Sequence, residues 1–264
     1  MLFSTFPTIK AIGIGSNLEK TSWADISTIA KSGEASNYFS IGDRKSITVG
    51  ENTYCARIIG FNHDPLVSTK GYGTKTNGKA GITFEVKELY PEAVPYYADS
   101  LPTDIYLISW GGGGGGYAST IHSSVMRSIK ASLPSDLQKV ITWVQKEYYS
   151  FSKDSSGSLV STLQTAWDDL FILSSWEMGI STKYGVGTAY TLYDLFGGKV
   201  STYCRGLVNS TKYSAHLCKY WVRDGNPQYN GRPQYVSLST DSAPSVSPTS
   251  FDASDVYTNF SFCV

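Results

Sequence analysis

The sequence lacks an excess of charge of either sign, and this absence excludes several classes of function. Lys and Arg together number 22, as do Asp and Glu, so the formal net charge is zero. Without a basic surplus, the chain has no global field that would attract nucleic acid or an anionic membrane surface. Charged residues make up only 17% of the chain, below the usual quarter. We therefore expect neither nucleic acid nor a membrane among the partners.

Signals for metal binding, membrane insertion and export are also missing. The four cysteines include no CxxC pair, and their spacing to the three histidines does not predict a zinc site. No stretch approaches the 18 apolar residues of a membrane span. Residues 1–5 are not followed by the apolar segment of a signal peptide. We expect no metal or other cofactor, and free thiols rather than disulfides, although four cysteines permit two bridges.

Six consecutive glycines occupy residues 111–116, but the signature of a phosphate-binding loop does not follow them. Such a loop ends in Gly-Lys-Ser or Gly-Lys-Thr, whose Lys and hydroxyl reach phosphate and magnesium. Tyr117 and Ala118 stand at those positions here. The run instead predicts a slack or sharply turned surface loop, because only Gly tolerates positive φ at several adjacent positions.

Aromatic and small polar residues are abundant. The chain has 19 Tyr and six Trp, together with many Ser, Thr and Gly. This composition is typical of loop-rich β proteins and of binding surfaces built from rigid aromatic side chains. It also suits a protein whose surface is covered by neighbours in an assembly.

Three segments have the features of helices. Ser22 is a predicted N-cap with Asp25 three residues later, and Gly33 is predicted to end that helix. Apolar residues four apart predict a second helix over residues 121–129. A longer apolar stripe predicts a third helix over residues 133–144.

Strands are predicted on both sides of these helices. Residues 45–49, 54–61 and 81–89 predict an antiparallel meander. A strand over residues 143–151 is followed by a turn and a return strand, and residues 169–173 predict a short buried strand. Short late strands are predicted around Val236 and Leu238 and over residues 260–264. Residues 1–20 are predicted to form an extended arm, and residues 21–264 a single α+β domain.

Few residues suggest catalysis. His63 and Asp64 could act as an acid/base pair, but adjacent side chains point apart, so a structural role in a loop is favoured. His122 has no helical partner four residues on. The carboxylates of Asp168 and Asp169 precede an apolar strand, which favours a turn or cap over a catalytic pair. We therefore expect no enzymatic activity.

Glu177 is the most informative single carboxylate. It follows a predicted buried strand and lies beside Trp176, which favours partial burial and pairing with Arg127 or Arg223. An internal anchor that holds loops together is favoured over a site.

A late segment concentrates the side chains that most often anchor interfaces. Tyr, Trp and Arg are such anchors, and here they alternate with Asp, Asn, Gly and Pro. Trp221 is expected to fill the core. The candidate binding residues are Tyr220, Arg223, Asp224, Tyr229, Arg232 and Tyr235.

One set of segments follows a fixed order along the chain: the helix at Trp23, then residues 38–43, 57–64, 115–127, 133–137, 169–177 and 220–223. In this order the chain resembles a family of uncharacterised domains from gut bacteria and their phages. That family is similar to the C-type-lectin-like fold of sulfatase-modifying enzymes and of variable phage tropism proteins. The resemblance covers roughly residues 20–264.

The resemblance implies binding and assembly rather than chemistry. It implies a C-type-lectin-like domain with two or three helices and long loops, in a non-enzymatic bacteriophage virion protein of the capsid, neck or tail. Its partners would be other virion proteins, further copies of itself or a host-surface glycan, bound by the late loops. The chain departs from the family where Asp224 replaces Ser-Pro and where residues 256–263 replace a Gly-Val-Arg-Pro segment.

Two other classes remain open. A sulfatase-modifying-type enzyme would use Cys204 and Cys218 as a reactive pair, although their separation and the absence of clustered calcium ligands argue against this. A bacterial surface adhesin that binds carbohydrate is the other, and the lack of an export signal argues against it.

Overall fold

The fold is mixed α+β, built mostly from antiparallel sheets with few helices. The structure is a computed structural model and describes residues 17–86, 88, 93–99, 108–113, 116–180, 193–196, 218–226, 232–238, 245–250, 252–253, 255–258 and 260–264. The helices are α1 (Trp23–Ser32), α2 (Met126–Ala131) and α3 (Ser135–Gln138). The strands are β1 (Arg44–Val49), β2 (Asn52–Phe61), β3 (Ile82–Val86), β4 (Ile108–Ser109), β5 (Gly111–Gly113), β6 (Gly116–Ala118), β7 (Val144–Lys153), β8 (Leu159–Asp168), β9 (Leu170–Phe171), β10 (Cys218–Asn226), β11 (Arg232–Leu238), β12 (Ser245–Pro248) and β13 (Ser261–Cys263).

Helix α1 forms as its sequence predicts. The Ser22 hydroxyl accepts a hydrogen bond from the backbone N–H of Asp25 at 3.1 Å, which satisfies a donor that the helix itself leaves unpaired. Gly33 ends the helix in the left-handed conformation, at a φ of 77°. Ile26 and Ile29 on the inner face are buried.

The central sheet carries the core. Its strand order is β1-β2-β3-β13-β9, so the predicted meander of the first three strands is confirmed. The late strand β13 lies between β3 and β9 and pairs antiparallel with both. Trp23 of α1 packs edge-on against Phe84 of β3 and Phe262 of β13, with ring centroids 5.4 and 5.9 Å apart. This aromatic contact fixes α1 on the sheet.

The predicted third helix is wrong over most of its length. Only α3 is helical, and Val144 begins strand β7. The apolar residues of the stripe are still buried at Leu133, Leu137 and Val144. Strand pairing overrides the helical spacing, because Thr142 pairs with Cys263 and Val144 pairs with Leu66.

The hairpin of β7 and β8 confirms the predicted strand and its return. Ten residues of each strand pair in one continuous register, from Val144 opposite Asp168 to Lys153 opposite Leu159. The second predicted helix also forms, as a π-helical turn over residues 121–125 that continues into α2. These two elements form the walls of the cleft described below.

Gly111–Gly113, the first half of the glycine run, form a strand, so the interpretation as a slack surface loop is wrong for these residues. These residues form β5, which pairs with β6. Gly112 is buried at a φ of 73°, and its carbonyl accepts hydrogen bonds from the hydroxyls of Tyr148 and Ser109. A Cβ atom at Gly111 would lie 3.0 Å from the Tyr148 hydroxyl oxygen. A side chain at Gly111 would therefore press on the Tyr148 ring, which would have to move by a few tenths of an ångström.

The remaining predictions fall partly outside the described residues. Leu18–Lys20 forms a 3-10 turn with Leu18 buried, and residues 1–16 of the predicted arm lie outside the described ranges. The late strands predicted around Val236 and over residues 260–264 are present as β11 and β13. Within the described ranges, every helix is too short or too polar to cross a membrane.

Candidate functional site

An open cleft of about 600 Å³ lies between α2 and the junction of β8 with β9. Its volume falls within the range of roughly 300–1,000 Å³ typical of small-molecule sites. We call it the tryptophan cleft. The lining residues that matter here are Trp143, Trp167, His122, Asp168, Arg127, Lys130 and Asp169.

Two exposed indoles stand at the cleft. Trp143 is 50% exposed and Trp167 is 63% exposed, although a side chain of this size is usually well buried. Trp167 lies opposite Gln145 in the hairpin, and Trp143 precedes Gln145 by two residues. Both indoles therefore share one face of the hairpin in a diagonal relation, about 7–8 Å apart in the backbone. Together they give the cleft an exposed aromatic surface.

Most charges of the cleft are already paired. Lys130 forms an ion pair with Asp169, and its Nζ lies 5.5 Å from the ring centroid of Trp143. His122 Nε2 lies 2.7 Å from one carboxylate oxygen of Asp168. Trp110 Nε1–H donates to the other oxygen at 2.9 Å. Asp168 is buried, and each of its two carboxylate oxygens already has a partner.

Arg127 differs from the other charged residues of the cleft. Its side chain is exposed, and within the described ranges no carboxylate lies at ion-pair distance from its guanidinium. It therefore contributes an uncompensated positive charge to the cleft.

A second polar constellation lies inside the protein. We call it the buried ion cluster, formed by Asp64, Lys146, Glu177, Tyr193 and Arg223. Lys146 Nζ lies 2.7 Å from a carboxylate oxygen of Asp64 and 2.7 Å from one of Glu177, and it donates to the Tyr193 hydroxyl at 3.0 Å. Arg223 lies 2.8 Å from Glu177 and donates to the carbonyl oxygens of Glu147 and Ile172.

The cluster ties several parts of the chain together. Asp64 follows β2, Lys146 lies in β7, Glu177 follows β9 and Arg223 lies in β10. The Glu177 carboxylate also accepts the Ser174 N–H at 2.8 Å, while the Ser174 hydroxyl accepts the Glu177 N–H at 3.0 Å. Four separate segments are thus joined by a single set of charges.

Asp64 is the most heavily bonded member of the cluster. Tyr193 donates to both of its oxygens at 2.9 Å, and Thr83 donates to one of them at 2.6 Å. The Tyr193 ring stacks on His63 with centroids 3.8 Å apart. Gly60 makes room for this ring, since a Cβ atom there would lie 3.0 Å from it.

Charge pairing outweighs burial in setting the ionisation of the carboxylates. Burial alone would raise the pKa of Glu177, but the charges of Arg223 and Lys146 lower that pKa to about 2. Burial likewise opposes ionisation of Asp64, and Lys146 and His63 still hold its pKa well below the usual value. The pKa of Lys146 is raised, because Asp64 and Glu177 outweigh the opposing effect of burial.

Burial has the opposite result for the two weak acids beside these charges. It raises the pKa of the Tyr193 hydroxyl and of the Cys263 thiol well above their ordinary values, and the neighbouring Asp64 adds to the rise. Both groups stay protonated and act as hydrogen-bond donors to Asp64. The cluster is therefore a fixed set of ions and donors, closed to solvent.

The predicted pairing of Glu177 is confirmed, with Arg223 as its partner. Arg127, the other candidate, lines the tryptophan cleft instead. The expectation that His63 and Asp64 point apart is wrong, because their side chains lie 3.3 Å apart. The turn at Asn62, with a φ of 47°, redirects the chain after β2.

Of the six predicted binding residues, the structure describes the side chains of four. Tyr220 is buried, with its hydroxyl 3.6 Å from the sulfur of Met178, and Arg223 belongs to the buried ion cluster. Arg232 is exposed, and Tyr235 is half-buried beneath Lys219. For Asp224 only the strand is described, and Tyr229 lies outside the described residues. Their binding role stays a prediction.

The core role predicted for Trp221 is confirmed. Its side chain is fully buried, and its indole N–H donates to the carbonyl of Val94 at 2.7 Å. The cysteines are described only in part. Cys55 and Cys263 carry free thiols, Cys204 lies outside the described residues, and the side chain of Cys218 is not described.

The tryptophan cleft is absent from the sites predicted from the sequence. Trp143 and Trp167 belong to no predicted site, and His122 has no predicted partner. The available signal was the hairpin itself, since a return strand ending at Asp168 places Trp167 near Trp143. The long-range contact of His122 with Asp168, 46 residues apart, has no local signature.

Comparisons with known proteins place no relative beside this chain, since no protein-family model, curated protein or solved structure matches it. Among the described residues, no group of three His, Cys, Asp or Glu side chains is arranged to hold a metal ion.

Proposed function

We propose that this protein is a non-enzymatic attachment component of a bacteriophage particle, and that it binds a host-surface glycan through the tryptophan cleft. The observation that carries the binding role is the pair of exposed indoles on one face of the hairpin, both of which line the cleft. The virion setting and the C-type-lectin-like class of the domain are supported by the resemblance in the sequence, and the mixed α+β architecture agrees with that class.

Exposed indoles suit sugars for a physical reason. The face of an aromatic ring carries partial negative charge, and the C–H groups on one side of a pyranose ring are weakly positive and apolar. A sugar stacked on Trp167 would cover apolar surface while its hydroxyls remain in water. The polar groups at the cleft floor and wall, including Lys130 and Asp169, offer hydrogen-bond partners to those hydroxyls.

The composition of the cleft favours binding over catalysis. Asp168 and Asp169 are each engaged by a cation or a donor. Among the described residues that line the cleft, none is a Ser, Thr or Cys that could act as a nucleophile. Acid/base work on a bound sugar would need a free carboxylate pair at a suitable separation.

An assembly would make weak sugar binding effective. One open cleft gives modest affinity, whereas several copies held in one particle raise the overall avidity many-fold. The proposal therefore includes a homo-oligomer with other virion proteins as neighbours.

An array of bacterial cell-surface oligosaccharides tests the binding role. The wild-type protein should be retained by a subset of glycans, and Trp167→Ala should lose that retention. Trp176→Ala is the matched control, because Trp176 is also exposed, at 40%, but does not line the cleft. Equal retention of wild type and Trp167→Ala would refute the cleft as the site. Absence of the protein from purified phage particles by mass spectrometry would refute the virion setting.

A further inference from the structure

The tryptophan cleft has an uneven charge distribution, and this restricts the kind of sugar that fits it. Lys130 is neutralised by Asp169, and Asp168 is held below the floor by His122 and Trp110. Arg127 faces the same cleft without a carboxylate partner in the described part of the chain. An uncompensated guanidinium beside an apolar platform favours a ligand that is both flat-faced and anionic.

We infer that the cleft selects an acidic sugar, whose ring stacks on Trp167 and whose carboxylate or phosphate is bound by Arg127. The planar fork of a guanidinium matches these oxyanions and can donate two parallel hydrogen bonds to either. This inference rests on the proposed glycan-binding function and adds the chemical class of the ligand.

The two halves of the site make separate contributions. The indole face is indifferent to charge, so it should bind a neutral and an acidic sugar alike. Arg127 should respond only to the oxyanion, because a neutral sugar offers it no charge-assisted hydrogen bond. Substitutions at Trp167 and at Arg127 are therefore expected to have different ligand profiles.

Calorimetric titration of the 264-residue chain can separate these profiles. The probes are a galacturonic acid trimer, the same trimer after reduction of its carboxyl groups, and a phosphorylated galactose trimer. We expect wild type to bind one or both acidic trimers about tenfold or more tightly than the neutral one. Whichever acidic trimer binds more tightly identifies the oxyanion as carboxylate or phosphate.

Three variants assign the contributions. Arg127→Gln should reduce acidic binding to the level of the neutral trimer and leave neutral binding unchanged. Arg127→Lys, which keeps the charge but loses the fork, should give an intermediate affinity. Arg44→Gln removes an exposed arginine outside the cleft and should behave as wild type.

The other outcomes separate a failure of the acidic preference from a failure of the proposed glycan binding. Suppose that wild type binds all three trimers equally and that Trp167→Ala binds none of them. The tryptophan cleft is then confirmed as a glycan site, and its preference for an acidic sugar is refuted. If Trp167→Ala still binds the acidic trimers, or if wild type binds no trimer, both the acidic preference and glycan binding by the tryptophan cleft are refuted for these ligands. Tighter binding of an oligothymidylate than of any trimer would point instead to single-stranded nucleic acid, which also stacks on aromatic faces.

Discussion

The buried ion cluster and the tryptophan cleft use the same kinds of residue for different ends. Each combines cations, carboxylates and aromatic rings, and each is supplied in part by the hairpin of β7 and β8. In the cluster, Lys146 is 3% exposed and is enclosed by Asp64, Glu177 and Tyr193. In the cleft, Trp167 is 63% exposed and Arg127 faces solvent. Perturbed ionisation marks the first region, whereas the second offers an accessible surface.

This difference shows why strongly shifted pKa values do not by themselves locate a functional site. Shifted groups are common at catalytic centres, but structural ion networks produce the same shifts. Here the shifted carboxylates already have partners and no open path to solvent. We therefore assign the cluster to stability and the cleft to binding, and the predictions below test this division.

The largest expected effect is on stability, from Lys146→Met. This change leaves the carboxylates of Asp64 and Glu177 buried without their shared cation. Breaking a buried ion network from one side typically costs about 3–5 kcal/mol, and we expect a loss of free energy of unfolding of that order in urea denaturation. The effect on sugar binding by the folded fraction should be small.

Lys70→Met provides the control for this change, since Lys70 is exposed and belongs to neither region. It should leave stability within about 0.5 kcal/mol of wild type. A Lys146→Met protein as stable as the control would contradict the structural role of the cluster.

A comparable effect is expected from acid. The folded-state pKa of Glu177 is about 2, below the ordinary value of 4.5, so its contribution to stability is complete above pH 4.5 and is lost as the pH falls toward 2. A shift of this size corresponds to about 3 kcal/mol. The lowered pKa of Asp64 acts with the same sign.

Denaturation curves measured across this pH range check the acid effect. Glu177→Gln should reduce the slope of stability against pH, whereas Glu51→Gln, which removes an exposed carboxylate, serves as the control. An unchanged slope in Glu177→Gln would show that other groups govern the acid sensitivity.

The smallest effect on stability is expected from the cleft. Trp167→Ala removes a side chain that is mostly in solvent, so the free energy of unfolding should change by less than about 1 kcal/mol. Thermal unfolding with and without sugar checks this prediction. A loss comparable to that of Lys146→Met would mean that Trp167 is a packing residue, and the comparison of the two regions would then fail.

Local sequence signals predicted the local elements well. The cap at Ser22, the stop at Gly33 and the strands β1 to β3 each arise from neighbours in the chain, and the structure confirms them. The inward and outward alternation expected of β3 is wrong, because Thr83 and Glu85 are fully buried. Glu177 could be identified as an internal anchor because it follows a buried strand.

Pairing between distant segments could not be predicted from local sequence signals. Helical spacing over residues 133–144 gave way to strand pairing with Leu66 and Cys263, partners that lie far away in sequence. Gly111–Gly113 form a strand that pairs with β6, and Tyr148, a distant residue in sequence, packs against Gly111. The cleft depends on the hairpin register and on the contact between His122 and Asp168, neither of which has a local pattern.

The most direct test observes the six tryptophan indole N–H resonances of ¹⁵N-labelled protein during titration with the galacturonic acid trimer. Single Trp→Phe variants assign each resonance. The signals of Trp143 and Trp167 should shift with saturation, while those of buried Trp23 and Trp221 and of exposed Trp176 should stay in place. Shifts confined to Trp176 or to the buried indoles, with Trp143 and Trp167 unmoved at saturation, would contradict the assignment of binding to the tryptophan cleft.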